Sequence, residues 1–131
     1  MQKFSITTNS RIESVDITSP VANIVRTSGI EEGICCVYVP HTTAGVIINE
    51  NADPDVKKDI MERLTKIAPK GDGYHHLEGN ADAHIKSALA NCSVTFPIAG
   101  GRMDLGTWQG IYFVEFDGPR HREVWVQVVG K

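Results

Sequence analysis

GIYFVEFDGPRHREVWVQVVG, residues 110–130, decides the fold class of this chain. Two runs rich in β-branched and aromatic residues, 110–118 and 123–130, flank the polar tetrapeptide PRHR. Such residues fit a pleated, half-buried surface, and the pair reads as a closing β-hairpin. Further strands emerge on working outward. GICCVYV (33–39) is apolar on both faces and predicts a central, buried strand. GVIIN (45–49) follows after a short PHTTA connection. SVTFPI (93–98) alternates, and Pro97 places it at an edge or ends it. Phe4 and Ile6 alternate with Lys3, Ser5 and Thr7, and Val15 and Ile17 with Ser14 and Asp16. Ile12 breaks that second phase, which implies a bulge or a late start.

Three helices are expected. Pro20 suits a first helical turn, with Val21, Ile24 and Val25 on one face. Asp53 caps a second helix that Pro54 opens, and Val56, Ile60, Leu64 and Ile67 form its apolar stripe. A third starts near Asn80 or Asp82, with Ile85, Ala88 and Leu89 expected to face inward. The order is β-β-α-β-β-α-α-β-β-β, an α+β pattern with largely antiparallel pairing.

The 131 residues suit one domain, large enough for a core without covalent staples. The net charge of −3 and the dispersed basic residues leave no footprint for nucleic acid or an anionic membrane. No apolar run approaches membrane-spanning length, and the amino terminus has no signal-peptide core. Three cysteines, two of them the adjacent Cys35 and Cys36, argue against a disulfide framework and for a reducing, cytoplasmic setting.

Chemistry concentrates around histidines set beside short turns: His41 in PHTTAG, and His76 and His84 in YHHLEGNADAH. Imidazole is the commonest metal ligand and the usual proton carrier near neutral pH. His41 follows a buried strand, where a rigid element delivers a side chain to a cleft; a solvated strand-end histidine is the plain alternative. His84 lies in the first or second turn of the third helix, where a cation is disfavoured and the metal-binding neutral form is favoured. His75 and His76 are adjacent, so an extended backbone turns only one toward a given site. His121 sits between two arginines and reads as a surface residue. Three histidines from separate elements match the ligand count of a catalytic zinc site, although the His76-x7-His84 spacing follows no standard motif. Glu115 is a charge inside an apolar strand and needs a partner: a metal, a hydrogen-bond donor or an arginine, with Arg102 the candidate. GGRMDLGTWQG (100–110) offers Arg102 for a phosphate, Trp108 to stack on a flat ring and Gln109 to read its edge. A bulged strand pair with a core tryptophan is the equal alternative. Thr42 and Thr43 are further candidates for phosphate oxygens.

HTTAGVIINENADPDV, YHHLEGNADAHIKSAL and SVTFPIAGGRMDLGTWQGIYFVEFDGPR, with the terminal VQVVG, resemble the YjbQ-like family of small prokaryotic proteins over nearly the whole chain. The resemblance implies an α+β fold with a β-sandwich, a homotrimer, and a histidine-lined cleft that holds a metal in some members. Some members have been given secondary thiamine-phosphate synthase activity. By position it points to His41, His76 and His84 as metal residues. It points to Arg102, Thr107, Trp108 and Gln109 as substrate contacts, to which the residue reading adds Thr42 and Thr43. His41, His84 and Glu115 are the candidates for catalysis.

The implied reaction joins hydroxymethylpyrimidine diphosphate to a thiazole phosphate, giving thiamine phosphate and diphosphate. Diphosphate departure usually recruits magnesium through oxygen ligands. A histidine set suits zinc and water activation, so zinc leads and magnesium follows, and the synthase activity could be secondary to another reaction. The alternative is a non-catalytic trimer that binds a metal or a small phosphorylated metabolite. A purely structural trimer is the weakest reading. Apolar residues on both faces of the strands give mild support to oligomerisation.

Overall fold

A computed structural model describes all 131 residues. Eight strands and three helices run β1 (Gln2–Thr7), β2 (Glu13–Asp16), α1 (Thr18–Ser28), β3 (Glu32–Tyr38), β4 (Ala44–Glu50), α2 (Pro54–Ile67), α3 (Ala81–Leu89), β5 (Ser93–Ala99), β6 (Arg102–Met103), β7 (Gln109–Glu115) and β8 (His121–Gly130). They form a five-stranded sheet ordered β1-β8-β3-β5-β6 and a three-stranded sheet ordered β2-β7-β4. Every strand pairing is antiparallel. The α+β expectation with its antiparallel β-sandwich is met.

The closing hairpin is not. β7 pairs with β2 and β4, whereas β8 pairs with β1 and β3, so the 116–120 connection carries the chain from one sheet to the other. The reason is visible in β7. It is buried from Gly110 to Glu115, so it needs a strand on each side and a layer on each face. A two-stranded hairpin would leave half of those groups in water.

The core lies between the sheets. Val37, Val39, Phe96, Val124 and Val126 from one meet Val46, Ile111 and Phe113 from the other, and Ile17, Val21 and Val25 close the end. At ~1.5–3 kcal/mol for each large apolar side chain buried, this layer dominates the fold. The helices differ sharply in what they add. Helix α1 buries Val21 and Val25. It begins at Thr18, two residues before Pro20, because the Asp16 carboxylate accepts from the Thr18 N–H. Asp53 caps α2 as expected by accepting from the Asp55 N–H, and Pro54 opens it. Yet α2 has no fully buried residue, and Ile67 at the end of its stripe is 59% exposed.

Strand β3 is central, as predicted, but only one of its faces is covered. Cys35 and Val37 point inward, while Ile34 and Tyr38 are 51% and 41% exposed on the outer face. Cross-strand neighbours Val129 and Trp125 extend that apolar surface. Gly33 lets β3 and β8 close up, since a Cβ there would lie 2.1 Å from the Val129 carbonyl oxygen. Cys35, Cys36 and Cys92 are free thiols, and burial, with Cys36 beside it, pushes the Cys35 thiol up to about 12. No helix is long and apolar enough to cross a membrane.

Candidate functional site

Helix α3 delivers His84, though not by the phase expected from its apolar residues. Ala81, Asp82, Ala83 and Lys86 face inward, while Ile85 and Leu89 are 39% and 53% exposed. The inward face is held by charge. Lys86 Nζ donates to Asp82 Oδ2 at 2.7 Å, one helical turn away, and the Arg11 guanidinium binds both Asp82 oxygens at 3.1 Å. Burial works against the ionised Asp82, but these two cations outweigh it and hold the carboxyl at about 2, down from 3.8. With 82 and 86 turned inward, residue 84 falls on the opposite side and residue 85 on the flank at 100° per residue.

There His84 meets His76. The two imidazoles sit edge to face with ring centres 5.1 Å apart. Tyr74, His75, His76, Ala81, His84 and Ile85 line an open cleft of about 340 Å3. The 74–76 segment is tethered by the Tyr74 hydroxyl, which donates to the Pro69 carbonyl. The carboxylate nearest His76 is the exposed Glu78, at 4.0 Å.

His41 is elsewhere. It follows β3 in the turn before β4, and its Nε2 accepts from the Glu123 N–H of β8 at 2.9 Å. Burial and the Arg122 guanidinium lower its pKa, against smaller contributions from Glu115 and Glu123. It does not line the His76–His84 cleft. No group of three His, Cys, Asp or Glu side chains in this chain is arranged to hold a metal ion. The three-histidine set is therefore not assembled within one chain, which brings two of the three together.

Glu115 is fully buried, and its partner is Arg122 rather than Arg102. Arg122 donates to it through Nε at 2.8 Å and through Nη2. The Thr8 hydroxyl and the Asp117 N–H add bonds at 3.0 Å. Burial raises the Glu115 pKa, but Arg122, the Asp117 N–H and Thr8 together bring it below the ordinary value. With its oxygens engaged in this way, Glu115 is poorly suited to act as a general base. Arg122 Nη2 also donates to Thr43 Oγ1 at 2.8 Å, so Thr43 is buried in structure while Thr42 stays exposed. Sequence alone carried a signal for Arg122. It shares the phase of Val124 and Val126 along β8, and that phase points inward.

The 100–110 segment splits. Arg102 borders a different cleft, of about 490 Å3, together with Arg26, Glu31, Gly100 and Gly101. Trp108 is not a core residue: it is 63% exposed, and its carbonyl accepts from the Asn51 N–H. Gln109 Oε1 is already occupied by the Gly106 N–H, so it locks its own turn. Thr107 lies exposed in the same turn. His121 pairs with the Thr7 hydroxyl at 3.0 Å, consistent with a surface role.

Comparison with known proteins places this architecture. Residues 2–131 match the family described as UPF0047 protein YjbQ-like. A UPF0047 protein of Methanocaldococcus jannaschii is 55% identical over 128 residues, covering 98% of this chain and 93% of the relative. The UPF0047 protein YugU of Bacillus subtilis is 46% identical, covering 99% of both. A crystal structure of an uncharacterised family protein from Clostridium acetobutylicum superposes with a TM-score of 0.96 at 49% identity, covering 98% of this chain and 100% of that one. A YbjQ-like protein of unknown function from Sulfolobus solfataricus gives 0.96 at 34% identity, covering 99% and 96%. Matched from end to end in sequence and in backbone, the chain belongs to the YjbQ-like UPF0047 family.

Proposed function

We propose that this chain is a cytoplasmic enzyme that acts on a small phosphorylated heterocycle at the cleft where His76 meets His84. The thiamine-phosphate synthase reaction is the activity to which the family resemblance points. One observation carries the reading: two imidazoles from separate segments meet at 5.1 Å in a cleft otherwise lined by Tyr74, His75, Ala81 and Ile85. In that reaction a thiazole nitrogen attacks the methylene carbon of the pyrimidine diphosphate, a C–N bond forms, and the C–O bond to diphosphate breaks. A cleft of about 340 Å3 is at the small end for organic ligands and suits one ring, not two. The second substrate would sit against another surface.

Zinc, or magnesium with a diphosphate substrate, would take His76 and His84 from this chain. Two imidazoles fall short of the three protein ligands of a catalytic zinc site, so any further ligand would come from the substrate or a second copy. The reading includes a homotrimer. Its contact would use the uncovered outer face of the larger sheet, where Ile34, Tyr38 and Val129 are exposed. Free thiols fit a reducing compartment.

The second reading, a non-catalytic trimer that binds a metal or a phosphorylated metabolite, is favoured by Glu115. That carboxylate is buried against Arg122, so the nearest carboxylate to the His76–His84 pair is the exposed Glu78. One experiment separates the two. The wild type and His84→Ala are assayed for thiamine phosphate formation and for equilibrium binding of each substrate, alongside elemental analysis and sedimentation. Turnover lost in His84→Ala supports the enzyme. Binding without turnover in the wild type supports the carrier. Neither binding nor turnover refutes both.

A further inference from the structure

The turn that joins β3 to β4 holds a row of unused hydrogen-bond donors. The backbone N–H groups of His41, Thr42 and Thr43 donate to no backbone or side-chain acceptor in the protein. Thr43 is only 6% exposed, and backbone N–H groups of buried residues are nearly always paired. The Thr42 hydroxyl is likewise unengaged. His41 adds one more donor. Its Nε2 is the acceptor for the Glu123 N–H, so the ring proton of the neutral imidazole resides on Nδ1, which has no protein partner. A nitrogen that accepts from a backbone N–H does not hold a metal at the same time. Behind the turn the Arg122 guanidinium, paired with Glu115, fixes the turn's backbone, because its Nη2 donates to both the hydroxyl and the carbonyl of Thr43. Glu115, the carboxylate that could oppose an anion there, is engaged by Arg122, Thr8 and the Asp117 N–H. Glu123 remains as an exposed acidic neighbour.

We propose that residues 41–43 form an anion-binding turn for the phosphate of a phosphomonoester or diphosphate, in which His41 donates through Nδ1–H and is not a metal ligand. The proposal rests on the reading that the ligand is phosphorylated. It adds a role for His41 that needs no metal.

The test uses the full-length protein, 15N-labelled, with inorganic phosphate and diphosphate as probes. Long-range 15N–1H spectra, with the His41 signals identified by their loss in His41→Ala, should show the Nδ1–H tautomer at neutral pH. Phosphate should shift the amides of 41–43. Because His41→Ala also removes the anchor to β8, two further variants are compared. An asparagine side-chain nitrogen sits near the place of Nδ1, and a glutamine nitrogen near that of Nε2. His41→Asn should keep phosphate binding, while His41→Gln and His41→Ala should weaken it roughly tenfold, as expected for one hydrogen bond to an anion. Zinc content should match the wild type in all three. An Nε2–H tautomer, amide shifts confined to other segments, better rescue by glutamine than by asparagine, or loss of zinc in His41→Ala would each overturn the proposal. Absence of thiamine phosphate formation with the phosphate shifts intact would defeat the enzyme reading alone.

Discussion

Replacing Glu115 by glutamine isolates the electrostatic heart of the fold. The substitution keeps the shape of the side chain and removes one charge. Arg122, itself 5% exposed, would then be a buried cation without a counter-ion. Removing one partner of a buried, hydrogen-bonded pair costs about 3–5 kcal/mol. Glutamine can still accept from Arg122, Thr8 or the Asp117 N–H, but its amide group cannot accept at both ends, so at least one of the four bonds made at the carboxylate is lost. The lower half of the range applies if the remaining bonds hold. For a chain of 131 residues, with an unfolding entropy near 2.1 cal/mol/K per residue, the range corresponds to a fall in midpoint of roughly 10–20 °C. Thermal unfolding followed by tryptophan fluorescence, at one chain concentration, measures it, and urea unfolding gives the free-energy difference. The double variant Glu115→Leu/Arg122→Met removes both charges and leaves only the Thr43 hydroxyl and the Asp117 N–H without partners, since Thr8 keeps its bonds to the Arg120 backbone. It should lose less than the single variant. A Glu115→Gln stability within about 1 kcal/mol of wild type, or a double variant worse than the single, would refute the account of the pair.

Acid should act through the same groups. Asp82 is held at about 2 rather than 3.8, and Glu115 and Asp117 also lie below their ordinary values. A carboxyl depressed in the folded state stabilises fully above its ordinary pKa, and that contribution disappears as pH falls through the folded value. The midpoint should therefore decline between about pH 4 and pH 2, and Asp82→Asn should flatten the decline; an unchanged slope in that variant would contradict the ion-pair assignment. Asp53→Ala removes the cap of α2 at ~0.5–2 kcal/mol. Because α2 has no fully buried residue, hydrogen exchange should accelerate within residues 54–64 while the global midpoint moves little. A cooperative fall of the whole transition would show that α2 belongs to the core unit.

The fold class was legible because it depends on apolar phase. Alternation placed β1, β2 and β5, although β5 runs through Pro97 to Ala99 between β3 and β6 rather than ending there or forming an edge. Enrichment in β-branched and aromatic residues placed β8, the Asp53–Pro54 pair marked the start of α2, and the apolar run 33–39 marked the centre of the larger sheet. What failed was pairing. Two β-rich runs separated by four residues look like a hairpin, and only the burial of β7 on both faces requires two other neighbours. Apolar phase also misread α3, since an inward Asp82–Lys86 pair looks like a solvated face. The candidate site was half legible. His76 and His84 do meet, but their proximity depends on the 69–79 loop, where no periodicity exists to be read. His41, Arg102 and Trp108 lie in separate places that no spacing in the chain distinguishes.

The polar network explains how those two histidine regions are tied together. From Lys86 the contacts pass to Asp82, then Arg11, then Asp117 at 3.9 Å, which also binds Asn80 and Arg120. The Arg120 backbone joins Thr8, and Thr8 joins Glu115, Arg122 and finally Thr43, two residues from His41. One run of hydrogen bonds and ion pairs thus spans from the helix of His84 to the turn of His41. Buried ion pairs are seldom better for stability than apolar residues of equal volume, so stability alone is a weak reason for this arrangement. Orientation is a stronger one. An apolar pair at 82 and 86 would pack inward too, but it would not fix the helix against Arg11, nor Arg11 against the 117–122 segment. If that is the network's purpose, the Glu115→Leu/Arg122→Met protein should remain folded and yet bind phosphate at residues 41–43 more weakly than the wild type. Stability restored together with undiminished phosphate binding would reduce the network to packing.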